Sequence, residues 1–171
     1  MTTIIVCPLS HVRAVADERR PSHMITLLDP DEHVDTPPGL DPDRHLRLAV
    51  YDICEPAGGM IAPERAHVVQ ILDFGRGWDG QAPLLVHCWA GISRSTATAF
   101  MLACQLNPHA AEWDIAWRLR LAALHAYPNR KLVQLADQAL ERDGKMIAAV
   151  EAIGDNGFAV MGRPFDLPAR F

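Results

Sequence analysis

Cys88 and Arg94 are separated by five residues in the run His87-Cys88-Trp89-Ala90-Gly91-Ile92-Ser93-Arg94-Ser95, with a glycine midway and a hydroxyl directly after the arginine. The apolar Pro83-Leu84-Leu85-Val86 before this run reads as a buried strand, and the small, apolar stretch from Thr96 to Ala103 after it as the first turns of a buried helix. Backbone N–H groups left free at such a helix start make a seat for an anion. The same field favours thiolate over thiol, which suits Cys88 as a nucleophile. Arg94 adds a permanent charge whose planar fork matches two oxygens of a phosphate. Together these residues point to phosphate-ester hydrolysis through a cysteinyl phosphate.

The elements that must hold this loop follow from the pattern on either side. Thr3 to Val6, Met24 to Leu28, Leu46 to Ile53 and Leu84 to Val86 are strand candidates. Helices are expected from Ser10 (as N-cap) to Arg19, from Pro63 to about Phe74, and from Ser95 to Leu106, the last apolar nearly all round and therefore central. A further helix over residues 109–125 carries Trp113, Trp117, Leu121 and Leu124 on one face, read as core packing. A last helical region runs from Arg130 to Ile153, with Gly144 able to split it. Strands followed by mostly helices predict one α/β domain over residues 1–153, a central, mostly parallel sheet of four or five strands flanked by helices. Residues 154–171 are read as a tail packed on that domain. The acidic run from Asp29 to Asp35 reads as a solvated loop, because prolines break it and it lacks the glycine and closing glutamate of a calcium loop.

The run from His87 to Ser95 resembles the signature loop of the protein tyrosine phosphatase superfamily, His-Cys-x5-Arg-Ser/Thr, and most of all its dual-specificity-like branch. Five fixed positions of this kind recur by chance in roughly one of 10⁴ to 10⁵ chains of this composition. Tyr127-Pro128-Asn129-Arg130-Lys131-Leu132-Val133-Gln134-Leu135 is similar to a Pro-Asn-x-x-Phe-x-x-Gln-Leu segment of that branch, with Leu132 or Val133 in place of the phenylalanine. The likeness covers roughly residues 1 to 150 and implies the phosphatase fold of that superfamily. It implies Cys88 as nucleophile, N–H donors from Trp89, Ala90, Gly91, Ile92, Ser93 and Arg94, Arg94 as transition-state clamp, and Ser95 easing departure of the sulfur. His87 and Asn129 are supporting residues; an alternating strand turns His87 away from the phosphate, which favours an orienting role over proton transfer.

The resemblance also implies a general acid, an aspartate some thirty-odd residues before the cysteine. Asp52 fits that spacing at the end of a predicted strand, where side chains face the same crevice as the loop; Glu55 is its rival. Asp73 lies inside a helix, and Asp79 is close to Cys88 in sequence. Cys54 is either a plain small residue, the preferred reading, or the partner of Cys88 in a protective disulfide.

Composition bounds the rest. The chain has 171 residues, 49% of them hydrophobic and 22% charged, which suits one soluble globular domain. A net charge of −5 argues against nonspecific nucleic-acid binding. No apolar stretch spans a bilayer and none reads as a signal peptide, so a cytoplasmic protein is expected. Four widely spaced cysteines and eight histidines make no zinc pattern, and neither metal nor cofactor is expected. Expected partners are a phosphorylated protein or a small phosphate monoester, with phosphotyrosine foremost and phosphoserine or phosphothreonine open. The absence of lysine at Trp89, Ala90 and Ile92 argues against polyanionic phosphoinositides. The alternatives are a rhodanese-like sulfurtransferase, which also carries a six-residue loop after a buried strand, and a phosphate-binding pseudophosphatase.

Overall fold

Short apolar runs become strands β1 (Thr3–Pro8), β2 (His23–Leu28) and β4 (Leu84–Cys88) in a computed structural model, which describes residues 2–155, 157 and 159–171. They are buried along nearly their whole length, as parallel strands covered on both faces must be. β3 (His45–Ala49) alternates in exposure because it lies at the sheet edge. The sheet has the order β3-β2-β4-β1-β5, with the first four strands parallel. This is the single α/β domain, with a mostly parallel sheet flanked by helices, that the sequence predicts.

The fifth strand, β5 (Phe165–Pro168), lies within the stretch read from sequence only as a tail, and it pairs antiparallel with β1. Residues 156 and 158 of that tail lie outside the described residues, as does Met1.

Side chains of alternate parity enter two cores. On one face Ile5, Cys7, Met24 and Leu85 pack on α1 (Val12–Arg19). On the other, Ile4, Val6, Ile25, Leu27, Leu84 and Val86 meet the helical layer: α2 (Arg65–Arg76), α3 (Arg94–Leu106), α4 (Glu112–Ala122), α5 (Arg130–Ala139) and α6 (Lys145–Ile153). α3 is the central helix, buried from Arg94 to Cys104. Gly144 separates α5 from α6 at φ +81°, a left-handed conformation suited to glycine. The first helix starts later than expected: Leu9–His11 forms a 3₁₀ turn, and Ser10 does not cap α1.

The tryptophans of α4 are not core residues. Trp113 is 46% exposed, Trp117 39% and Leu121 70%, while Ile115, Ala116 and Leu119 are buried. Two apolar stripes interleave on this helix, and the one with smaller side chains packs inward, letting α4 approach its neighbours closely. The tryptophans pair with each other edge to face at 5.7 Å on the outside.

Candidate active site

All four parallel strands deliver residues to one place beyond their carboxyl ends, where open α/β sheets form their crevice. β1 runs into Leu9, β2 into Asp29, β3 into Val50 and Asp52, and β4 ends on Cys88 itself. Period-two alternation puts Cys88 on the helical face and His87 on the α1 face, as expected.

The loop from Cys88 to Ser93 is held from outside by its carbonyls. His87 Nδ1 lies 3.4 Å from Cys88 O. Leu9 N donates to Trp89 O at 3.1 Å, Gly162 N to Ala90 O at 2.8 Å, Tyr127 N to Ile92 O at 2.9 Å, and Asn129 N to Ser93 O at 3.2 Å. Because C=O and N–H of one peptide point in opposite directions, carbonyls pulled outward leave the N–H groups facing inward. The Ala90–Gly91 peptide shows both ends of this: its carbonyl is taken by Gly162, and its N–H donates to Cys88 Sγ at 3.3 Å.

Gly91 is required here twice over. Its φ is +70°, and a Cβ would lie 2.6 Å from Pro8 N and 2.9 Å from the carbonyl carbon of Cys7. Cys88 is buried, and Ser95 Oγ lies 3.2 Å from its sulfur.

Arg94 begins α3, and its guanidinium is anchored at one end only. Nη1 donates to Asp29 Oδ1 and to Val50 O, both at 2.7 Å. Nε is buried and has no hydrogen-bond partner among the described residues, so that donor is available to an anion's oxygen. Asp29 was not singled out as a site residue in the sequence, where it stands first in the acidic run expected to be a solvated loop. The strand-end position that pointed to Asp52 is the signal that could have found it.

Asp52 stands three residues past the end of β3, and Oδ1 accepts from Ser93 Oγ at 2.7 Å and Asn129 Nδ2 at 2.9 Å. Asn129 also caps α5, its Oδ1 accepting from Leu132 N at 3.0 Å. The Pro-Asn segment therefore couples a helix start, the loop over residues 88–93 and Asp52. Glu55 lies further along the same exposed loop, and among the described residues no hydrogen bond ties it to residues 88–95. Cys54 is exposed and unbonded. Cys7, at the base of the loop, is buried, and that burial pushes its thiol up to about 12, with Cys88 adding to the effect. Burial also pulls His87 down to about 4, so its ring is neutral near pH 7.

The fold is that of the dual-specificity branch of the protein tyrosine phosphatase superfamily. Solved structures that share it include DUSP15, at 17% identity and a TM-score of 0.62 over 92% of this chain and 96% of that one. PTPMT1 matches at 16% identity and a TM-score of 0.61, over 86% and 96% of the two chains. The Yvh1 phosphatase domain from Chaetomium thermophilum matches at 16% and 0.56, over 84% and 98%. No family model matches the sequence, and no curated protein matches it either.

Proposed function

We propose that this chain is a cysteine-dependent phosphatase acting on phosphate monoesters, phosphotyrosine foremost, through a cysteinyl-phosphate intermediate. The observation that carries this reading is the Gly91 N–H donating to Cys88 Sγ in a loop whose carbonyls are held outward, together with an Arg94 Nε that has no partner among the described residues. The thiolate of Cys88 attacks phosphorus, and the bond from phosphorus to the ester oxygen breaks. Asp52 gives its proton to the leaving oxygen, which needs one when the departing phenol is weakly acidic. Water then attacks the phosphoenzyme and gives a proton to the Asp52 carboxylate. The P–S bond breaks, and the Ser95 hydroxyl donates to the departing thiolate. Throughout, the loop N–H groups and Arg94 hold the equatorial oxygens, where charge spreads in the transition state.

Asp29 keeps Arg94 extended into the crevice, so the guanidinium meets the phosphate in a fixed orientation. The fold shared with phosphatases and the seat of Asp52 beside the loop favour this reading over a sulfurtransferase, which needs no proton donor at a leaving oxygen. A phosphorylated protein in the cytoplasm is the substrate setting we propose.

Hydrolysis of an aryl phosphate in the presence of a chelator tests the reading. Turnover should be blocked by vanadate and abolished in Cys88→Ser, while that variant still binds phosphate. Thiocyanate release from thiosulfate and cyanide, with no phosphate release, would move the chain to the sulfurtransferases. Phosphate binding with no turnover of any kind would make it a pseudophosphatase.

A further inference from the structure

Behind the sheet from Cys88, on the α1 face, five polar side chains form a continuous chain, of which the phosphatase reading uses only His87. Thr26 on β2 pairs in register with His87 on β4 and with Arg47 on β3. Its hydroxyl lies 2.7 Å from His87 Nε2 and 2.8 Å from Nε2 of His45. His45 Nδ1 lies 2.9 Å from Thr36 Oγ1, which accepts from Arg47 Nη2 at 2.7 Å. Thr26, His45 and His87 are all buried.

A hydroxyl between two ring nitrogens has one proton, so it donates to one and accepts from the other. The ends of the chain set the direction. Cys88 O can only accept, so His87 carries its proton on Nδ1 and Nε2 accepts from Thr26. Thr26 then accepts from His45 Nε2–H, and His45 Nδ1 accepts from Thr36, whose oxygen accepts a hydrogen bond from Arg47, a side chain that can only donate. Every link is satisfied when both rings are neutral. Burial keeps them so, pulling His45 and His87 each down to about 4, with Arg47, His87 and His33 adding to the effect on His45 and Arg94 opposing a charge on His87.

We propose that Thr26 and His45 are positioning residues for the catalytic loop, acting through His87. The chain fixes the His87 tautomer that donates to Cys88 O. It thereby fixes the first peptide of the loop, whose other end, the Trp89 N–H, belongs to the anion cradle. Aligned hydrogen bonds polarise one another, so the dipole of that peptide is strengthened toward the anion. Arg47 and Thr36 close the chain near the surface. The proposal rests on the phosphatase reading only for what the loop does, not for the chain itself.

The test has two arms. Long-range ¹H–¹⁵N correlation on the unmodified protein should find opposite tautomers, His87 protonated on Nδ1 and His45 on Nε2. Thr26→Val removes the link and keeps the shape; it should let the His87 tautomers mix and weaken both turnover and orthovanadate affinity by roughly three- to tenfold, the size of one neutral hydrogen bond. Thr26→Ser should restore tautomer, rate and affinity together, which a merely structural role would not require. Finding the same tautomer on both rings, or a Thr26→Val variant with parental rate and vanadate affinity, overturns the proposal. If the parent shows no turnover, the phosphatase reading fails by itself, and tautomers with vanadate affinity still decide on the chain.

Discussion

Two loops meet at this site and are built in opposite ways. The loop over residues 88–93 follows a fully buried strand, and five of its six carbonyls are taken by donors from outside it: His87, Leu9, Gly162, Tyr127 and Asn129. The loop after β3 is exposed over most of residues 52–61, its base closed by Tyr51 N donating to Ile61 O at 2.9 Å. Among the described residues, its Asp52 is bonded to the site only through side chains, Ser93 and Asn129. A cradle that stabilises charge must be in place before charge develops, because reorganising it during the reaction would cost part of what it contributes. An acid that gives and retakes a proton needs only to be near, and contacts from single side chains are enough to place it.

Gly91→Ala strikes the rigid half and should have the largest effect. The added methyl meets main chain at Pro8 and Cys7, which cannot move without shifting β1. The loss in kcat/KM should be roughly 10²- to 10³-fold, comparable to removing an oxyanion donor. A parent-like rate would mean that the loop tolerates displacement and is no rigid cradle.

Asp52→Asn probes the lightly tethered half, and its effect should depend on the leaving group. Phosphotyrosine, whose phenol has a pKa near 10, should slow by roughly 10²-fold or more, and an ester of an acidic phenol much less. The alkaline fall of the pH profile should flatten as well. Equal losses on both substrates would leave Asp52 a shaping role, and a normal profile with collapse in Glu55→Gln would transfer the role to Glu55.

Acid should distinguish the two halves more gently. His45 and His87 titrate near 6.5 when unfolded but at about 4 when buried, so between those values the unfolded chain binds more protons. Stability is therefore full above pH 6.5 and falls as the pH drops toward 4, by on the order of 2–3 kcal/mol for each ring. Urea titrations across that window should show the slope. Amide exchange should rise first at residues 88–93, not around Asp52. A flat profile would contradict the neutral, buried rings.

What the sequence disclosed divides along similar lines. The loop over residues 88–93 was legible because the proposed nucleophile, the proposed clamp and the turn glycine lie within seven consecutive residues, and their roles are local. Asp52 needed only the rule that strand ends share a crevice. Asp29 obeys the same rule but stands in an acidic, proline-rich run whose solvated look masks its ion pair with Arg94, a contact between distant parts of the chain. The side of α4 that faces inward was decided by how closely Ile115, Ala116 and Leu119 let the helices approach, which hydrophobicity alone does not encode. β5 is four residues long, ends on Pro168 and exists through its pairing with β1 at the other end of the chain. Gly162 belongs with it: a Cβ there would lie 2.9 Å from Gly91 O, a constraint visible only once the tail reaches the loop.

The covalent intermediate is the most direct test of the whole account. Asp52→Asn should be mixed with an ester of an acidic phenol, quenched in acid within the first turnover, digested and analysed by mass spectrometry. If Asp52 is the base that activates water, its loss should slow hydrolysis of the phosphoenzyme more than its formation, and a phosphoryl group should be found on the peptide containing Cys88 and disappear in step with phosphate release. Turnover with no adduct at Cys88, or with the adduct on another residue, would contradict the cysteinyl-phosphate mechanism.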